Sequence, residues 1–135
     1  MRFAVAVCVT HDVVPKVRQF LATAEPVRQL LIARLTGGGA SQQAIVCGAH
    51  ANHLAETLAA QVKSARASST GNADRAHLFI AAPNAFTFYL GRHVHSVKPL
   101  TLYEFDFELQ RDGSYRASLS FPEAAIPPST AISAK

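Results

Sequence analysis

The chain has 135 residues, 49% of them hydrophobic, with 13 Lys and Arg against 9 Asp and Glu. That length suits one domain with a modest core and excludes two independent ones, and no apolar run reaches the roughly 20 residues that a bilayer crossing needs. The start, MRFAVAVCVTHD, lacks the charged flank, long apolar centre and cleavage site of a secretory signal, and Cys8 and Cys47 alone make no disulfide framework. A cytosolic protein with both thiols buried, reduced and inert is expected. Residues 1 to 99 carry ten Lys and Arg against four Asp and Glu, and residues 100 to 135 three against five. The asymmetry is compatible with a phosphate-bearing ligand at the front of the chain, and equally with scattered surface charge.

FAVAVCV, Phe3 to Val9, is a short unbroken apolar run rich in Val, the pattern of a strand covered on both faces in a parallel sheet. Thr10, His11 and Asp12 make a polar corner, with Asp12 placed to cap the next element. Val13, Val17, Phe20, Leu21 and Ala24 then share one helical face opposite Lys16, Arg18 and Gln19; Pro15 fits the first turn and Pro26 stops the helix. LLIARL, Leu30 to Leu35, suits strand or helix by period, but its shortness and its flanking proline and triple glycine favour strand. After the loop TGGGASQQ, helical period returns from about Gly48 to Arg66, with Leu54, Leu58 and Val62 in line and Ala51, Ala55 and Ala59 beside them for close packing on a sheet. Ala67 to Asp74 has the composition of a polar loop.

HLFIAA, from His77, is a third buried-strand pattern; Pro83 fits the first helical position, and Ala85 to His93 continues as helix with Phe86, Tyr89 and Leu90 on its apolar side. Strands alternating with helices argue for a parallel sheet flanked by helices and joined by right-handed crossovers. In TLYEFDFELQ the pattern shifts, and Tyr103, Phe105, Phe107 and Leu109 alternate with Leu102, Glu104, Asp106 and Glu108, as in a strand with one wet face. Asp112-Gly113 turns it, and YRASLSF returns with Tyr115, Ala117, Leu119 and Phe121 on one side, so an antiparallel hairpin closes the sheet. The Pro-, Ser- and Ala-rich end shows no period and reads as a loose tail.

Ligands of an open parallel sheet bind outside the carboxyl ends of its strands, where helix N-termini present unpaired N–H groups. Three segments fall on that edge: Thr10-His11-Asp12, the glycine loop with Ser41 and Gln42, and Ala82-Pro83-Asn84. Thr10 and His11 offer hydrogen bonds to a ligand, or a cap and a solvent-facing ring. Asn84 offers an amide to a base edge or phosphate. Phe86 offers a stacking face if its turn is exposed, and otherwise belongs to the core. Arg92, closing the same helix, either meets an anion or answers the negative end of the helix dipole. The glycine loop matches neither G-x-x-x-x-G-K-[ST] nor G-x-G-x-x-G and reads by default as flexible. The histidines, His50 with His53 and His93 with His95 included, lack the partners of a zinc site, so no metal is expected. Glu104, Asp106 and Glu108 read as a solvated face, and no Ser-His-Asp, Cys-His or paired-carboxylate constellation is present.

The order of segments AVAVCVTHDVVPKVRQFL, AHANHLAETLAAQV, HLFIAAPNAFTFYLGRHV and TLYEFDFE with YRASLSF resembles the SAVED domain, the sensor module of bacterial anti-phage systems. The resemblance covers roughly Phe3 to Pro122 and is most specific from His77 to Phe107. It implies an α/β fold related to CARF sensors: a three-layer, Rossmann-like, mostly parallel sheet closed by a C-terminal antiparallel hairpin in residues 1–122, followed by a flexible tail, 123–135. It implies a non-enzymatic sensor, without a cofactor, that binds a cyclic oligonucleotide second messenger in CBASS or type III CRISPR signalling and acts through oligomerisation or a partner effector. By position, Thr10 and His11 would line the messenger pocket from the first strand, and Pro83, Asn84 and Phe86 from the third; Asp12, Ser41, Gln42 and Arg92 complete the candidate set. A full SAVED domain has two such halves and this chain resembles the C-terminal one. A second copy or a separate subunit is therefore expected to supply the missing wall and the effector, with neither a membrane nor duplex DNA as partner. Two alternatives stand beside the sensor: a ring nuclease or other phosphodiesterase with His11 as acid or base, and a structural half-domain that completes a partner's sheet.

Overall fold

The computed structural model describes residues 3–23, 26–36, 39–41, 43–69, 71, 74–105, 114–123 and 132–133. The readings made above on Ala24, Gln42, the 106–113 turn with Asp106, Phe107, Glu108 and Leu109, and most of the tail fall outside these residues. The elements in chain order are β1 (Phe3–Cys8), α1 (Val14–Thr23), β2 (Gln29–Arg34), α2 (Gly48–Ser69), β3 (Ala76–Ala81), α3 (Asn84–Gly91), α4 (Val94–Val97), β4 (Leu100–Phe105) and β5 (Tyr115–Phe121).

Every residue of β1 is buried, because strands flank it on both sides and helices cover both faces. Its side chains alternate between two cores. Phe3, Val5 and Val7 meet α2, α3 and α4 through Leu58, Val62, Phe86, Leu90 and Val97. The smaller Ala4, Ala6 and Cys8 let α1 approach the other face with Val14 and Val17. The strand order is β2-β1-β3-β4-β5; the first four are parallel and β5 is antiparallel to β4. This is the three-layer α/β architecture that the alternation of patterns predicts, with the antiparallel pair at its C-terminal edge.

Three local expectations need correction. α2 runs on to Ser69 before Gly71, at φ +106°, ends it by donating its N–H to the Arg66 carbonyl at 2.8 Å. Pro83 is the N-cap of α3 rather than its first residue, and the helix stops at Gly91, with the short α4 following. In β5, Tyr115, Ala117, Leu119 and Phe121 do not share a face. A bulge makes Leu102 pair with Leu119 but Tyr103 with Ala117, so the strand changes sides at Ser118. Tyr115 then joins Phe20, Phe79 and Tyr103 beneath α1, while Phe121 packs with Leu102 on the other face.

Arg66, in the last turn of α2, has a side chain that is only 2% exposed. Its Nη1 donates to the carbonyls of Val97 at 2.7 Å and Pro99 at 3.2 Å, and Nη2 to that of Lys98 at 3.3 Å. These carbonyls lie between α4 and β4, so one planar fork satisfies the backbone of that junction and ties it to α2. Desolvation pulls the Arg66 pKa down from its ordinary value, and the nearby Asp74 carboxylate opposes the shift. Arg66→Met takes the guanidinium's bonds from the Val97 and Lys98 carbonyls, while the Pro99 carbonyl keeps the Ala76 N–H at 2.9 Å, and is expected to cost about 3 kcal/mol, read as a lower urea midpoint, with Arg66→Lys recovering only part of it. A midpoint unchanged in Arg66→Met would refute this role.

Candidate functional site

Three loops meet at the carboxyl end of β1. The Ala81 carbonyl accepts the N–H groups of both Val9 and Thr10 at 2.9 Å, and Ser41 donates its N–H to the Val9 carbonyl at 3.0 Å. From this point the chain leaves β1 for α1 on one face of the sheet and leaves β3 for α3 on the other, which opens the crevice where α/β sheets of this order take ligands. The crevice is a cleft of about 800 Å³ that extends over the ends of β3 and β4 to the start of β5. His11, Asp12 and Lys16 line it from the β1–α1 side and Asn84 and Thr87 from α3. Tyr103, Phe105 and Tyr115 form its aromatic wall, with Glu104 and Arg116 beside them.

Asp12 is already engaged within the protein. Its Oδ1 accepts the Val14 N–H at 3.0 Å and the Cys8 thiol at 3.7 Å, and its Oδ2 accepts from Arg34 Nη2 at 3.1 Å. The Val14 amide, and next Arg34, hold its carboxyl below the ordinary aspartate value. Asp12 therefore serves the start of α1 from one residue ahead of the expected cap position, which Val13 takes by accepting the Val17 N–H at 2.9 Å. Burial pushes the Cys8 thiol up, which keeps it protonated and unreactive, whereas Cys47, expected to be buried as well, is exposed.

Positive character comes from elsewhere. Lys16 Nζ sits 4.8 Å from the centroid of the Phe105 ring, with its charge at the cleft. Arg116 stands opposite Glu104 in the strand ladder. The N-cap of α3 is Pro83, at φ −60° and ψ 152°, with no side-chain cap. Phe86 and Thr87 donate back to the Pro83 carbonyl at 3.0 and 3.4 Å, which leaves the N–H groups of Asn84 and Ala85 open among the described residues. Phe79 stacks on Tyr103 at 4.6 Å and meets Tyr115 edge-on at 5.0 Å. Burial pushes both phenols up, so they stay neutral near pH 7, and Tyr103 Oη lies 2.9 Å from His77 Nδ1. The arrangement suits an anion with a planar or hydroxylated neighbour.

The predicted residues separate clearly. His11, Asp12 and Asn84 line the cleft, Pro83 adjoins it, and the Thr10 hydroxyl is 3.0 Å from His11 Nδ1. Ser41 reaches the β1 tip through its backbone, but its hydroxyl donates to Gln43 Oε1 at 3.0 Å. Phe86 is 1% exposed and lies in the core, so it offers no open face for stacking. Arg92 lies apart from the cleft residues: α3 runs antiparallel to β3, and Arg92 ends up beside Leu78 and Leu100 at the strands' amino edge, about 12 Å of helix from Asn84. Lys16, Arg34 and Arg116 were missed. Lys16 lies in the turn that follows Asp12 and Arg34 is the last residue of β2, so the rule that selected Asp12 could have found both. Arg116 needed the hairpin register. Among the described residues no group of three or more His, Cys, Asp or Glu converges on a possible metal position.

The family described as the SMODS-associated and fused to various effectors sensor domain, SAVED, matches residues 1–121. Over 115 residues the chain is 36% identical to CD-NTase-associated protein 4 of Enterobacter hormaechei subsp. hoffmannii (strain UCI 50), a match that takes in 85% of this chain and 22% of that protein. The chain thus spans less than a quarter of that relative's length.

Because the Asp12 carboxyl is depressed, its bonds are fully present above the unfolded aspartate value of about 4 and are lost as pH falls through the lower folded value. A carbon-detected NMR titration should place the Asp12 midpoint below that of an unfolded aspartate. In Arg34→Ala the midpoint should rise by the smaller part of the difference, since the Val14 amide contributes more. An Arg34→Ala midpoint equal to the unfolded value would contradict the assignment.

Proposed function

The chain belongs to the SAVED family of sensor domains, and on that premise we propose that the cleft at the tips of β1, β3 and β4 binds a cyclic oligonucleotide second messenger in anti-phage defence. The observation that carries the reading is the convergence of Lys16, Arg116 and the open α3 N-terminus on one 800 Å³ cleft walled by Tyr103, Phe105 and Tyr115. Phosphates would meet the two cations and the Asn84 and Ala85 amides. His11 and the Asn84 side chain would bond to ribose or base edges. Glu104 limits the net positive charge, so salt dependence should be shallow.

The cleft is open, and a second copy of the chain or a separate subunit would complete its wall; oligomerisation or a partner effector would then carry the signal. The domain would occupy residues 1–122 and act in the cytoplasm, where such a messenger is made. No helix among the described residues is long and apolar enough to cross a membrane. The phosphodiesterase reading differs in one observable, linear products from the same ligand.

Cyclic di-, tri- and tetranucleotides should be tested by thermal shift. A ligand at one hundred times its Kd should raise the melting temperature by roughly 8 °C. Lys16→Ala and Arg116→Ala should each weaken binding at least about 10-fold, as expected for a charge-assisted phosphate contact. No shift with any member of the panel at millimolar concentration would overturn the proposal, and linear products lost in His11→Ala would move it to the enzyme class.

A further inference from the structure

A second hollow lies across the β1 tip from the cleft. It measures about 410 Å³ and sits between the carboxyl ends of β1 and β2 and the first half of α2. Its floor is apolar: Val9 and Leu58, each 4% exposed, are fixed in the core, and Ala33 and Leu54 are half-buried above them. Its rim is polar. His50, Thr57 and Gln61 fall with Leu54 along one stripe of α2 and look over that floor.

The rim groups offer both signs of hydrogen bond. His50 Nδ1 accepts the Val46 N–H at 3.3 Å, so in the neutral ring the proton resides on Nε2, a donor. Thr57 Oγ1 donates to the His53 carbonyl at 2.9 Å and keeps its lone pairs as acceptors. Gln61 brings an amide with both functions. The one cation at its edge, Arg34, is paired with Asp12 at 3.1 Å, so an apolar floor under a rim of neutral donors and acceptors fits a flat heterocycle better than a phosphate, which would call for unpaired cations.

Position gives the hollow its meaning. Val9 lines it and His11 lines the cleft, and two residues of chain span at most about 7 Å. A ligand holding an anion on one side of the β1 tip can therefore set a linked ring on the other. We propose that this hollow is a nucleobase pocket, filled by one base of a ligand whose phosphate lies in the cleft. The inference rests on the reading of the cleft given above, and it adds a base-recognition site on α2, carried by His50, Thr57 and Gln61.

The test titrates the ¹⁵N-labelled chain with the four nucleoside 5′-monophosphates and, as a base-free control, with ribose 5-phosphate. At least one nucleotide should move the amide signals of His50, Thr57 and Gln61 together with those of His11 and Asn84, whereas ribose 5-phosphate moves the second set alone. Gln61→Ala, at an exposed helical position that alanine suits, should weaken that nucleotide about 10-fold and leave ribose 5-phosphate unchanged. Thr57→Trp, which fills the hollow from another exposed helical position, should do the same. Nucleotides that move only the His11 and Asn84 signals would overturn the base pocket and leave the cleft standing. Nucleotides that move neither set would overturn the pocket and count against the cleft as well.

Discussion

One backbone oxygen organises the functional end of this molecule. The Ala81 carbonyl accepts two N–H groups, from Val9 and Thr10, after the β1–β3 ladder has ended at the Cys8–Ala81 pair. These two hydrogen bonds carry the strand pairing one step past the sheet and hold the two departing loops together where they diverge to opposite faces. Because β1 is wholly buried and paired on both sides, its tip has little freedom. The cleft and the α2 hollow flank this fixed point, and the separation between them is set by backbone rather than by mobile side chains. The small Ala81 and Ala82 keep the tip accessible.

The opposite edge of the sheet is built differently. There Arg66 satisfies three carbonyls at the junction of α4 and β4, and Val97 and Leu100 seal the core beside it. Backbone groups are consumed at the amino edge of the strands and left open at the carboxyl edge, at Asn84 and Ala85. The division follows from chain direction: in a parallel sheet every following helix starts at the carboxyl edge, so unpaired N–H groups collect there. The bulge in β5 contributes too. It lets Phe121 bury on the α2 side of the sheet while Tyr115 joins the aromatic cluster under α1. Arg116 is thereby held at the cleft, opposite Glu104.

Much of this was legible in the amino-acid order. Unbroken apolar runs marked β1 and β3 because both faces of those strands are covered, and the alanines of α2 at 51, 55 and 59 marked the face that lies on the sheet. The carboxyl-edge rule then put His11, Asp12 and Asn84 at the strand tips, where they line the cleft, without any side-chain geometry. Failures came where tertiary context overrides local pattern. Period two could not reveal that one extra residue reverses the faces of β5. Helical period placed Phe86 on an apolar side but could not say whether that side was open, and it could not say that Arg92, at the far end of its helix, would lie at the opposite edge of the sheet from Asn84. The burial of Arg66 depends on carbonyls about thirty residues away, and nothing local announces it. The α2 hollow escaped notice because His50, Thr57 and Gln61 acquire meaning only once β2 is laid beside them.

A crystal structure of the chain with the cyclic oligonucleotide that stabilises it most would decide the central claim, that an anionic ring rests on the carboxyl edge of the sheet. A phosphate within about 3 Å of Lys16 or Arg116 and of the Asn84 or Ala85 amide is the predicted result. A ligand seated instead at the amino edge, beside Arg92 and Lys98, would contradict it.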